Sequence, residues 1–299
     1  MSPPPIPPPT SSGTTTTTDV PLYWCLYGQT PGETALVLHG GPGAHHDYLL
    51  PQMLRIAEMD GAPELLFYDQ RGGGRSRTDI REPITWRTQV DDVAAVLREF
   101  ALKRPTIIGY SWGGLLALLY AAESAKGAGL PAPGALVLID PAPISRTHRD
   151  AFEAEFARRQ AGADVVRLRG ELAASGLRER DADAYRQRNF ELSVAGYFAD
   201  PEAAKDLTPF RVNARVQESV WDSLGDFDLA RAGTLAAIRV PTMILHGRQD
   251  PIPLASSEEA ARSMDAELVV IEDCGHVPYV EQPATLFSAI ARFLRSRSA

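Results

Sequence analysis

The chain of 299 residues holds only two cysteines, Cys25 and Cys274. Two thiols make neither a disulfide framework nor a cysteine zinc site, and two unpaired thiols in a reducing compartment are expected. No apolar run reaches the roughly 18 residues that a membrane span needs. There is no surplus of positive charge: 30 Lys and Arg stand against 38 Asp and Glu, a net charge of −8. That balance argues against nucleic acid or an anionic membrane surface as partner. The first residues lack the basic and apolar stretches of a secretory signal, so a cytoplasmic location is expected. Metal-ligand spacing is also missing. His45, His46 and Asp47 are adjacent and do not face one site on a helix, so neither a metal nor a cofactor is expected.

What is present begins with low complexity. Residues 1–19 are rich in proline and threonine, and a disordered or polyproline-like tail is expected there. Short apolar runs without polar alternation follow at 20–27, 35–38, 64–68, 106–108, 135–140, 241–245 and 267–271. Helical patterns separate several of them, among them one capped by Thr85 with Val90, Val93, Leu97 and Phe100 on one face, and a closing one over 286–294. Such runs predict a mostly parallel central sheet flanked by helices on both faces. Residues 144–238 differ. They are rich in Arg, Ala and Glu, lack proline from 144 to 200, and read as an inserted helical cap. The core is then 20–143 and 239–299.

The centre of the pattern is Gly109-Tyr110-Ser111-Trp112-Gly113. An apolar strand precedes it and a Leu- and Ala-rich helix follows, which is the context of a nucleophile elbow. A sharp turn would lift Ser111 out of the backbone, with small neighbours two residues away on each side. A serine hydroxyl needs a base, and the base needs an orienting acid. His276, just past the last predicted strand, is the candidate base. Asp250, after the preceding strand, is the candidate acid, and Asp140 is the rival acid. The order Ser111, Asp250, His276 is that of an α/β-hydrolase fold. Oxyanion donors are expected from the N–H of Trp112 and from the His39–Gly43 loop, where Pro42 has no N–H and Gly41 is the best placed. His39 and His246 are expected to brace their loops, and Asp69 and Arg71 to form an ion pair. Trp112, Trp221, Phe210 and Tyr197 are candidate pocket aromatics.

Three stretches in order, His39-Gly40-Gly41-Pro42-Gly43, Asp69-Gln70-Arg71-Gly72-Gly73-Gly74-Arg75-Ser76 and Gly109-Tyr110-Ser111-Trp112-Gly113-Gly114, resemble the proline iminopeptidases of the α/β-hydrolase superfamily. The resemblance covers the core and implies a Ser111, Asp250, His276 triad, with Gly41 and Trp112 as oxyanion donors. It implies release of an N-terminal proline or other small residue from a short peptide, through an acyl-enzyme. The substrate's free amine then calls for a carboxylate. Pro251 follows Asp250 where relatives can carry glutamate, so the candidates are Asp226, Glu218 and Glu191 in the cap, with Trp221 beside them. Two other readings fit the same residues: an esterase, lactonase or amidase acting on small acyl substrates, and a binding protein without turnover.

Overall fold

A computed structural model of the chain describes residues 5–28, 33–79, 81–127 and 129–298. Eight strands among them form one sheet in the order β1-β2-β4-β3-β5-β6-β7-β8. The strands are β1 (Ser11–Thr14), β2 (Tyr23–Tyr27), β3 (Thr34–Leu38), β4 (Glu64–Tyr68), β5 (Thr106–Tyr110), β6 (Ala135–Ile139), β7 (Thr242–Gly247) and β8 (Glu267–Ile271). From β4 to β8 the pairing is parallel, and β1 and β2 complete one edge antiparallel. Strands β3 to β6 bury nearly every residue. That is why their sequences run apolar without alternation.

Helices cover both faces. One face carries α1 (Trp86–Glu99), α2 (Trp112–Ala125) and, late in the chain, α8 (Leu254–Met264). The other carries α10 (Pro283–Ser298), with the short α9 (Pro278–Glu281) leading into it. Thr85 caps α1 reciprocally with Thr88, satisfying two otherwise unpaired backbone donors. Helix α2 is buried at every position from Trp112 to Ala122, so it needs no polar face. Between β6 and β7 the chain forms α3 (Arg146–Gln160), α4 (Ala163–Ala174), α5 (Leu177–Arg180), α6 (Ala182–Val194) and α7 (Ala214–Leu224), with no strand among them.

The expectation of a disordered tail is corrected for its described part. Ser11–Thr14 pair with Tyr23–Leu26 at the sheet edge. Beyond them, the N–H groups and hydroxyls of Thr16 and Thr17 donate to the Glu99 carboxylate. Composition misleads here because edge pairing uses backbone N–H and C=O groups and asks for no buried side chain. Residues 1–4 lie outside the described part.

Candidate active site

Strands β3, β4, β5, β7 and β8 release their loops at one end of the sheet, where open α/β sheets bind ligands. Ser111 sits between β5 and α2 at φ 53° and ψ −119°, a left-handed conformation held by its surroundings. The glycines on either side are required sterically. A Cβ on Gly109 would stand 2.4 Å from the Gly113 carbonyl oxygen, and one on Gly113 would stand 2.1 Å from that of Leu38.

His276 Nε2 lies 2.9 Å from Ser111 Oγ, and His276 Nδ1 lies 2.7 Å from Asp250 Oδ2. Asp250 Oδ1 accepts the Ile252 N–H at 2.7 Å. Burial works to raise the Asp250 carboxyl, but the charge and hydrogen bond of His276 outweigh it and hold the group below the usual carboxylate range. Asp250 is therefore ionised and fixes His276 with Nδ1–H donating and Nε2 facing the serine. That arrangement can take the Ser111 proton as the oxygen attacks a carbonyl, and return it to the leaving group. The N–H groups of Gly41 and Trp112 find no protein acceptor among the described residues. Trp112 follows Ser111 in sequence, and Gly41 follows Gly40, where a Cβ would stand 2.8 Å from Ser111 Cβ.

Asp140 is fully buried in the same cluster. Its Oδ1 accepts the Gly247 N–H at 2.7 Å, and its Oδ2 has no hydrogen-bond partner. Burial first, then the nearby negative charge of Asp250, raise its carboxyl well above the ordinary range. The two acids are thus pushed in opposite directions, and only Asp250 bonds to His276. Asp140, His246 and Asp250 also form the one group of three among the described residues that could close on a metal. Most of its donor atoms are engaged: His246 donates from Nε2 to the Ile252 carbonyl and accepts at Nδ1 from Ser257.

Several residues hold the site together; sequence reasoning passed over Gln70, Tyr48, Tyr110 and Glu281, while His39 braces its loop as expected. Gln70 donates from Nε2 to the His39 carbonyl at 2.8 Å and accepts from Trp112 Nε1 at 2.9 Å. It thereby ties the Gly41 loop to the start of α2. His39 accepts the Gln70 N–H at Nε2 and donates from Nδ1 to the Gly40 carbonyl; burial lowers it to about 4, so it stays neutral. Tyr48 accepts the Gly40 N–H. Glu281 accepts from the N–H groups of Gly275, Val277 and Ala199, binding the His276 loop to the segment inserted after β6. Tyr110 donates to the His276 carbonyl, and the Tyr197 ring stacks on His276 at 5.1 Å. The signal for Gln70 was its place in the motif at the end of β4. Nothing in the sequence marked Glu281.

Other expectations are corrected. Asp69 does not pair with Arg71. It accepts from His46 Nδ1 at 2.7 Å and from the N–H groups of His46 and Arg75, while Arg71 forms a buried ion pair with Asp92. Arg71 leaves β4 toward α1, where Asp92 faces inward. Trp112 and Trp221 meet edge to face at 5.3 Å in the packed layer beneath α7, and Arg149 covers Trp221. Glu218 and Asp226 are exposed, make no hydrogen bond or ion pair among the described residues, and do not line the cavity below. Glu191 is buried against Arg188 and Gln187. None of these acids bonds to Ser111 or His276: Glu218 on α7 and Asp226 just after it face solvent, and Glu191 is neutralised on α6. Phe210 does line the cavity, and Tyr197 stacks on His276 instead.

A cavity of about 1000 Å³ opens beside the Gly41 loop. Core loops at Gly43, Gly72 and Arg77 form one wall, and residues 183–216 of the inserted segment form the other.

This fold and this meeting of serine, histidine and carboxylate at one sheet edge define a hydrolase architecture. Residues 35–289 match the model of the alpha/beta hydrolase family, and the chain belongs to that family. Among curated relatives it is 29% identical over 273 residues to the AB hydrolase superfamily protein YisY of Bacillus subtilis, covering 89% of this chain and 92% of that one. It is 30% identical over 253 residues to a proline iminopeptidase of Thermoplasma volcanium, covering 81% and 82%. Among solved structures, the proline iminopeptidase of Mycobacterium smegmatis aligns with a TM-score of 0.68 at 20% identity, over 96% of this chain and 98% of that one. An E-2-(acetamidomethylene)succinate hydrolase aligns with a TM-score of 0.65 at 20% identity, over 95% and 99%. Among the described residues no helix is long and apolar enough to cross a membrane.

Proposed function

We propose that the protein is a serine hydrolase that cleaves an amide or ester bond through an acyl-enzyme. The observation that carries this reading is the continuous Ser111–His276–Asp250 hydrogen-bond chain, with the N–H groups of Gly41 and Trp112 accepted by no described residue. Ser111 Oγ attacks the substrate carbonyl as His276 takes its proton. The N–H groups of Gly41 and Trp112 receive the oxyanion. His276 then protonates the leaving group, and water resolves the acyl-enzyme by the same route in reverse. Asp250 stays ionised throughout and steadies the imidazolium.

The substrate we propose is a short peptide with N-terminal proline or another small residue. The proline iminopeptidase relatives support it, one of them over four-fifths of the chain. A second reading, a hydrolase of small esters, lactones or amides, is favoured by one observation. Asp183, the acid in the cavity wall, is already paired with Arg186, and Asp226 and Glu218 stand outside that wall. Initial rates on a prolyl arylamide, its N-blocked form and a short aryl ester separate the two. Strong preference for the free amine supports the peptidase. Turnover of the ester alone, abolished in Ser111→Ala, supports the second reading. Ester turnover that survives Ser111→Ala refutes both.

A further inference from the structure

The cavity beside the Gly41 loop carries an unusual charge for a chain of net charge −8. Arg77, Arg186, Arg211 and Arg215 line it, against one carboxylate, Asp183. Asp183 pairs with Arg186 across one turn of α6. Elsewhere the chain commonly pairs its arginines, as in Arg71–Asp92, Arg146–Asp150 and Arg248–Glu272. Arg77 and Arg211 are different. Neither has a hydrogen bond or ion pair with any described residue, and they come from opposite walls, one from the core and one from the inserted segment. His45, in the same wall, is held below the ordinary histidine range, chiefly by burial, so the arginines supply the charge.

The cavity also abuts the proposed oxyanion loop. Val212, next to Arg211, has its Cγ2 3.9 Å from where a Gly41 Cβ would stand. Phe210, on the other side of Arg211, packs on the Tyr48 ring at 4.4 Å, and Tyr48 accepts the Gly40 N–H. A ligand in the cavity would therefore extend toward Ser111.

We propose that this cavity binds an anionic group, a carboxylate or a phosphate, held between Arg77 of the core and Arg211 of the inserted segment. Guanidinium groups bind such oxyanions through paired, charge-assisted N–H donors. Both are solvent-exposed, so their guanidinium donors are available. The consequence for substrate rests on the hydrolase reading of Ser111: the acyl compound or peptide it cleaves carries an acidic group.

The test is isothermal titration of the full-length protein with succinate and, separately, inorganic phosphate. Wild type is compared with the Arg77→Gln/Arg211→Gln double variant and with an Arg239→Gln/Arg262→Gln control, which removes the same charge from exposed positions outside the cavity. Circular dichroism verifies folding of each. The expected result is saturable binding of at least one anion to wild type and control, weakened at least tenfold in the Arg77/Arg211 variant. Succinate binding marks a carboxylate ligand, and phosphate binding without succinate marks a phosphoryl group. No saturable binding, or equal weakening in the control, overturns the proposal. The bound anion should also inhibit aryl ester hydrolysis competitively, with an inhibition constant matching the titration. If a fluorophosphonate fails to label Ser111, the hydrolase reading falls while the titration still decides the anion site.

Discussion

Gln70 offers a sharp test of how the proposed oxyanion donors are kept in place. Its side chain joins two elements that meet only near Ser111: the His39–Gly43 loop, through the His39 carbonyl, and the start of α2, through the Trp112 indole. Replacing it with methionine keeps the length and removes both hydrogen bonds. Two buried polar groups then lose their partners, at about 1–3 kcal/mol each, or about 2–6 kcal/mol in all. At roughly 2 °C per kcal/mol for a chain of this size, Tm should fall by about 4–12 °C. The larger effect is on geometry. Loss of a single oxyanion donor costs about 100- to 1000-fold in kcat, so a loosened pair of donors should cost about 10- to 100-fold. KM should change little, because the oxyanion forms only in the transition state. The assay is steady-state hydrolysis of an aryl ester well below the variant's Tm, with folding verified by circular dichroism. A variant that loses stability but keeps kcat within twofold of wild type would falsify the positioning role and leave Gln70 as packing alone.

The two acids should separate cleanly: Asp250→Asn should lower kcat by about 10,000-fold by favouring the wrong histidine tautomer, whereas Asp140→Asn, at a carboxyl that makes no bond to His276, should keep activity within about threefold. Loss of activity in Asp140→Asn comparable to that of Asp250→Asn would contradict the assignment of acids. Burial works to raise Asp69, but the hydrogen bond and charge of His46 and the Arg75 N–H outweigh it and hold the carboxyl well below its unfolded value of 3.8. Its ionised form therefore contributes stability that is fully present above that value and lost as pH falls toward the folded one. The Tm difference between wild type and Asp69→Asn should be constant from pH 6 to 5 and narrow below about pH 4; a gap that widens with acid would reverse the sign. Deleting residues 1–18 removes β1 and the donors to Glu99, and leaves β2 as an uncovered edge. The truncated protein should lose Tm and associate more readily in light scattering, and unchanged values for both would make the β1 pairing dispensable.

Much of the core was legible because its signals are local. Continuous apolar runs marked β2 to β8, and for β3 to β7 the reason is that a strand buried on both faces has no polar side to show. Thr85 announced α1 through its capping chemistry. The glycines around Ser111 marked the elbow, because only they tolerate the close approach of Leu38 and of the elbow's own backbone. Strand β1 was hidden, because an edge strand held by backbone hydrogen bonds leaves no apolar trace. The partners of Asp69 and Arg71 were misjudged because the chain leaves β4 at Tyr68 and turns, so the two side chains part, one toward the His46 loop and the other toward α1.

By itself the sequence determined the residue types and their order: an elbow serine, an acid and a histidine after successive strands, on a parallel sheet flanked by helices. Only the tertiary structure decided which acid touches His276. Asp140 and Asp250 both end up buried in one cluster, and their distance to an imidazole, not their place in the chain, separates them. It also decided that Asp226 and Glu218 face solvent while Arg77 and Arg211, 134 positions apart by their numbers, line the same cavity. A helical segment's pattern fixes which side is apolar, but its angle across the core fixes which polar residues face the site, and that angle comes from packing between distant parts of the chain.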